Sequence, residues 1–336
     1  MSEKRNFSTP DSIPFQEVLD ALLDDEHILD PRYLYRLSDL TPEEGERLQE
    51  IWPSIQTRRR RSLLEDLERL TEANTLLSFE RVFRFAIHDE DDQVRFYAIR
   101  ALEVFDTDDL IESFLHFLEE DESVDVRAVA ASVLGKYVYR GEIDKIPDEK
   151  QHQIEEKLLG VLSGNREPRV QRKALESVSY SPRVEVHEQI SLAYQRESEA
   201  WQASALVAMG RSFDHRYDER VSSKILHPSP EVRAEAVRAS GELILEEAVP
   251  DILELLDDVA QVRKAAIWAL SQIGGEGVAE AIQASKSEAL TEEEETFIDR
   301  ALDNLAFTQG SVNYQMFDLP VEGDGDFEID DQEWTD

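Results

Sequence analysis

One nine-residue pattern recurs along this chain, and it limits the possible folds more than any other feature. The copy "VRFYAIRAL" begins at Val94. Related copies begin at Val126, Val170, Trp201, Val232 and Val262, at steps of 32, 44, 31, 31 and 30 residues. The long step holds an insertion, "YRGEIDKIPDEK" (139–150). Between the copies lies a second class of apolar segment with helical periodicity, such as "FERVFRFAI", "LIESFLHFLEE" and "VPDILELLDD". Each unit therefore reads as helix A, a short loop and helix B. No segment shows the period-two alternation of a strand. A helix pair this short cannot bury its own apolar face, so the units must stack into a solenoid.

Helical phase assigns a role to each position of helix B. At about 100° per residue, offsets 0, +4, +5, +7 and +8 from the first residue share one arc. In the first copy these are Val94, Ala98, Ile99, Ala101 and Leu102, a core face. Offset +1 falls in the same arc, yet it holds Arg95, Arg127, Gln171, Gln202, Arg233 and Arg263. A charge placed there needs a partner. Offset −5 holds Asp89, Asp121, Asn165, Arg196, His227 and Asp257, and every copy with Asp also carries the Arg. The expectation is a structural ladder of Asp89, Arg95, Asp121, Arg127, Arg233, Asp257 and Arg263, running within a repeat or to the next one. Asp89 is the expected partner of Arg95. Offsets +2 and +6 point away from the core. They supply the candidate partner-binding residues Phe96, Arg100, Arg172, Arg238, Lys264 and Trp268, with both aromatics expected to be exposed.

The polar loop, Val-Arg, the Ala four residues on, the small or apolar pair and the Gly at 135, 210 and 241 resemble HEAT repeats. The likeness is to their short subfamily of the phycobilisome-lyase type, and it covers about residues 76–286. It implies an all-α solenoid, a superhelix of antiparallel helix pairs with the B helices lining the concave face. It implies function weakly, because such repeats serve scaffolds, adaptors and regulators as well as lyases.

The flanks differ from the repeats, as caps of an apolar stack must. Residues 1–13 read as a disordered tail and 14–75 as a helical N-terminal cap. Thr41, Pro42 and Glu44 form a helix start, and Thr291 with Glu294 starts a capping helix over 287–306. The segment 307–336 carries no Lys or Arg and reads as a disordered acidic tail. In it Phe317, Phe327, Ile329 and Trp334 are spaced among acids. The run Arg58–Arg61 reads as the solvated start of a helix, offset by Glu65, Asp66 and Glu68.

Charge and motifs narrow the function classes. The formal net charge is −38, from 74 acidic and 36 basic residues, which disfavours nucleic acid and anionic membrane as partners. There is no cysteine, so thiolate chemistry and disulfides are excluded. No apolar run is long enough to span a membrane, and the start lacks a signal-peptide core. A cytoplasmic location is expected. The seven histidines form no His-Glu-x-x-His motif, and only His187-Glu188 matches the dipeptides through which some HEAT-repeat hydroxylases bind iron. No enzyme activity, cofactor or metal is expected. The expected function is a monomeric interaction scaffold for another protein, one carrying positive charge, with the tail as modulator. A lyase- or isomerase-like auxiliary acting on a tetrapyrrole or a modified protein is the alternative.

Overall fold

The computed structural model describes residues 12–105, 107–164, 166–286 and 291–308; among them are 18 α-helices and no strand. Four helices come first: α1 (Phe15–Leu23), α2 (Pro31–Arg36), α3 (Pro42–Ile51) and α4 (Thr57–Ala73). Helix pairs follow: α5 (Glu80–Ala86) with α6 (Asp92–Ala101), α7 (Ile111–Glu120) with α8 (Val124–Glu142), and α9 (Asp148–Ser163) with α10 (Pro168–Val178). Next come α11 (Val184–Tyr194) with α12 (Glu199–Arg211), α13 (Asp218–Ser222) with α14 (Pro230–Glu242), and α15 (Val249–Glu254) with α16 (Ala260–Ile273). The last pair is α17 (Val278–Ser285) with α18 (Glu292–Thr308). The insertion is absorbed by lengthening: α8 runs for 19 residues and α9 for 16.

Local chemistry sets the helix starts. Thr41 Oγ1 accepts from Glu44 N at 3.3 Å while Glu44 Oε2 accepts from Thr41 N at 3.0 Å, a complete capping box. Thr291 Oγ1 accepts from Glu294 N at 3.1 Å, and Asp91 Oδ1 accepts from Val94 N at 3.2 Å. At the ends the structure departs from expectation. Ile13, assigned to a tail, is buried, and its carbonyl accepts from Arg36 Nε at 3.2 Å. Phe307 and Thr308, also assigned to a tail, are the last residues of α18. Residues 309–336, with Phe317, Phe327, Ile329 and Trp334, lie outside the described residues.

The stack is built on one layer. Helices α4, α6, α8, α10, α12, α14, α16 and α18 pack successively on one another, whereas successive first helices touch far less. The second-helix layer is therefore the short, inner side of the curve. Glycine makes this approach possible at offset +9. A Cβ on Gly135 would lie 3.0 Å from Ser177 Cα, one on Gly210 2.9 Å from Ala239 Cα, and one on Gly241 2.8 Å from Ala269 Cα. Each facing residue is the small residue at offset +7 of the next repeat.

Arginines then lock each loop to its neighbour. Arg95 Nη1 donates to the carbonyls of Asp89 and Glu90 at 2.9 and 3.0 Å, and its other edge meets both Asp121 carboxylate oxygens at 2.9 Å. Arg233 repeats this geometry: Nη1 donates to the carbonyls of His227 and Pro228, and Nε and Nη2 grip Asp258 at 2.9 and 2.8 Å. Arg127 donates to the carbonyls of Asp121 and Glu122 and pairs with Glu167 at 2.8 Å. Arg263 donates to the Asp258 carbonyl and pairs with Glu294 at 2.8 Å. Planar guanidinium suits this fork, with one edge on carbonyls and the other on a carboxylate.

Several expected pairings are corrected. Arg95 takes only the backbone carbonyl of Asp89; the Asp89 carboxylate is filled by Trp52 Nε1 at 2.6 Å and Arg60 at 3.2 Å, because the acid of each loop faces the preceding repeat. Asp257 ends a 3-10 turn and faces solvent, so Asp258 is the acid that Arg233 grips. Asn165 lies outside the described residues. Gln171 and Gln202 keep the loop carbonyls of Gly164 and Arg196, each at 2.9 Å, and the Gln202 amide oxygen also accepts from Lys224 Nζ in the next loop at 3.2 Å, a single bond in place of the two-oxygen grip on a carboxylate. Arg196 instead lies 3.7 Å over the Trp201 ring. The Arg58–Arg61 run is not a solvated face. Arg59 donates to the carbonyls of Asp24 and His27, buried Arg60 reaches Asp89 and Glu90, and Arg61 pairs with Asp91 at 2.5 Å. The three residues extend the ladder into the N-terminal helices.

Two stability outcomes follow. Gly241→Ala forces a methyl against Ala269 and Trp268 and is expected to lower stability by about 1–3 kcal/mol, whereas Gly160→Ala, with open space around it, raises stability by about 0.5–1 kcal/mol. Urea denaturation reads both. Arg95→Ala strands the Asp121 carboxylate, whose side chain is 6% exposed, and should cost about 3 kcal/mol. Arg127→Ala leaves Glu167, 46% exposed, and should cost less; an equal loss in both would place the stabilisation in the carbonyl contacts instead.

Candidate inner-face site

The inner face of the second-helix layer gathers charge from four helices and the turn after α6. Glu103 follows α6, Lys136 lies on α8, Lys173 and Glu176 on α10, Arg211 on α12, and Glu235, Arg238 and Glu242 on α14. These groups engage one another across repeats. Lys173 Nζ lies 2.6 Å from Glu176 Oε2, and Ser204 Oγ donates to Glu176 Oε1 at 2.6 Å. Arg211 Nη1 donates to the Glu176 carbonyl at 2.8 Å and stacks over Tyr180, whose ring lies 5.3 Å from that of Tyr139. Lys136 Nζ donates to the carbonyls of Glu103 and Phe105.

Burial sets the protonation of the acids here. Crowding by the surrounding helices pushes even the Glu103 carboxyl up, although that residue keeps an exposed edge, against the opposing charges of Arg211, Lys136 and Lys173. The Glu235 carboxyl is likewise raised by burial, against Arg238. Glu242 is pushed furthest, up to about 7: burial dominates, Glu235 adds repulsion, and Arg211 and Arg238 counter only part of it. Room for its carboxylate comes from Gly210, where a methyl would strike it.

The six candidate residues divide. Arg238, Lys264 and Trp268 come together with Glu242, Ala265 and Phe297 of α18 around one recess. Phe96 and Arg100 lie at the other end of the layer. Arg100 sits 4.8 Å over the Phe96 ring and pairs with Glu68 of α4, one oxygen at 2.6 Å. Arg238 pairs with Glu235. Lys264 and Arg172 have no ion pair or hydrogen bond with a described residue. The expected exposure of Phe96 and Trp268 is corrected: both are half-buried and pack on the core. Ala128, Ala203, Ala234 and Glu176, assigned to the same open strip, are buried. An isolated helix turns these positions to solvent, but the next second helix covers them. The half-buried acids Glu235 and Glu242, and exposed Glu103 near them, were missed, because the phase of one helix does not reveal which side chains converge across several.

The pH dependence of Glu242 has a definite sign. Its carboxyl is neutral in both states below its ordinary value of 4.5 and ionised in both above about 7. Folded stability is therefore lost as pH rises across that interval, when the buried site must take the charge. Glu242→Gln never carries it. The variant should melt above the wild type at pH values beyond about 7, with the difference vanishing near pH 4.5. A pH-independent difference in thermal melts would remove the charge explanation.

Comparison with known proteins adds the following. Residues 219–293 match the family model for HEAT repeats. No curated protein matches the chain in sequence. Among solved structures, it is similar to the complex of CpcE and CpcF of phycocyanin lyase from Nostoc sp. PCC7120. Identity there is 17%, covering 67% of this chain and 94% of that one, with a TM-score of 0.46. It is also similar to human deoxyhypusine hydroxylase (14% identity, 77% and 95% covered, TM-score 0.34). A third likeness is to yeast importin-β, Kap95p (12% identity, 89% of this chain and 47% of that one, TM-score 0.46). The chain is an all-α solenoid by its own helix pairs, and its residues 219–293 match the HEAT-repeat model.

Proposed function

We propose that this protein is a non-enzymatic interaction scaffold that holds a segment of a partner protein along its inner face. The observation that carries this reading is the recess at the C-terminal end of the second-helix layer. There Lys264 is exposed without an ionic partner, Trp268 and Phe297 are half-buried, and Arg238 and Glu242 stand beside them. Aromatic and cationic side chains on a rigid frame are the usual anchors of a protein interface. Two acids of the inner face, Glu176 and Glu235, are held by Lys173, Ser204 and Arg238, which gives that part of the face a fixed charge pattern. The net charge of −38 favours a partner with a positive surface, whose association rate would fall as salt rises. The acidic segment beyond residue 308 is proposed as a modulator that competes for the inner-face cations. No described helix is long and apolar enough to cross a membrane.

The test is affinity capture from native lysate with the full chain, comparing wild type with Trp268→Ala and Lys264→Glu. A specific partner held by the inner face is expected to be lost by roughly tenfold or more on Trp268→Ala, which also lowers the melting temperature because the ring packs on the core, and to be weakened by Lys264→Glu, at an exposed cation, with the melting temperature little changed. A partner retained equally by both variants rules out this recess as its anchor.

A further inference from the structure

The turns that leave the second helices carry an unexplained feature. At offset +12 the backbone of repeats four, five and six enters the left-handed region: Phe213 has φ 50°, Ile244 φ 54° and Gly274 φ 74°. Glycine takes this conformation freely, and the polar residues Asp39 and Asp144, which share it elsewhere in the chain, tolerate it. A β-branched Ile and a bulky Phe do not. Burial gives no compensation, since both side chains are 58% exposed. Folding alone would place Gly or Asn at these two turns.

The two side chains stand at equivalent places in adjacent repeats, about 8–10 Å apart by helix spacing. One repeat further on, the same turn opens a recess lined by Val249, Pro250, Ile273, Gly274 and Gly275. Its rim is acidic: Glu246, two residues after Ile244, and Glu276 line it, and Glu247 is exposed beside it. Arg216, near Phe213, is held by Asp214 at 2.6 Å. The edge is thus a row of two exposed apolar knobs and an apolar recess within a negative field.

We propose that this edge, Phe213, Ile244 and the recess beside Gly274, is a docking surface for a partner segment with two apolar side chains flanked by Lys or Arg. It lies on the turns between helix pairs, apart from the inner face, and stands independently of the reading given for that face. The apolar side chains of the partner cover Phe213 and Ile244 and enter the recess, while its cations meet Glu246, Glu247 and Glu276.

A phage-displayed library of random dodecapeptides, selected on the full-length wild type and counter-selected on Phe213→Gly/Ile244→Gly, tests this. The expected peptides carry two apolar residues flanked by Lys or Arg. They lose at least about tenfold in affinity on the double variant and bind Trp268→Ala as they bind wild type. The double variant should melt at or above the wild-type temperature, because Gly relieves both turns; Ile244→Asn serves as a second variant with a side chain tolerant of this backbone. Four results would overturn the proposal. They are a library without clones that distinguish the variants, enrichment of acidic peptides, a lower melting temperature in both variants, and concentration-dependent self-association that the double variant abolishes.

Discussion

Everything in this molecule depends on how closely one second helix can lie on the next. Gly135, Gly210 and Gly241 each face a small residue of the following repeat, with no space for a methyl between them. This contact brings the inner layer together while the outer helices stay apart, and so produces the curvature. Curvature in turn lets Glu103 sense Arg211 two inner helices beyond its own neighbour. A larger residue at any of these positions would push the layers apart and open the charged interior at the same time.

Dispersion contacts of this kind do not by themselves fix the angle at which a loop joins its helices. The arginine ladder does that. One guanidinium edge satisfies loop carbonyls that would otherwise lack donors, and the other edge grips an acid of the next repeat. The ladder weakens in the middle, where Gln171 holds only its own loop and Gln202 reaches the next through a single bond from Lys224 in place of an ion pair. Other polar contacts take over at these junctions: Ser204 and Arg211 reach Glu176 between repeats three and four, and Tyr194 and Gln202 meet Arg220 and Lys224 between four and five.

Two kinds of surface result. The inner face is a mosaic of paired charges ending in a recess with Trp268 and Phe297, where recognition of a partner is proposed. The turn edge bears Phe213 and Ile244 in a backbone conformation that folding alone does not favour. A rigid solenoid keeps surfaces of this kind at fixed separation, which is what an adaptor requires.

The repeat, its helical phase, the positions of the core and the need of offset +1 for a partner are all legible in the sequence, because they depend on spacing within a single helix. Thr41 and Thr291 announce helix starts for the same reason. The identity of the partners is not legible. Asp121 rather than Asp89 receives Arg95, and Asp258 rather than Asp257 receives Arg233, because the direction in which a loop faces depends on how repeats stack. Likewise an isolated helix shows Ala203 and Ala234 to solvent, and only the neighbouring helix buries them. Sequence periodicity determined the fold because it is a property of each helix alone. Tertiary structure decided the site, since the raised carboxyls of Glu235 and Glu242 and the recess at Trp268 exist only where separate helices converge and thin the water around them.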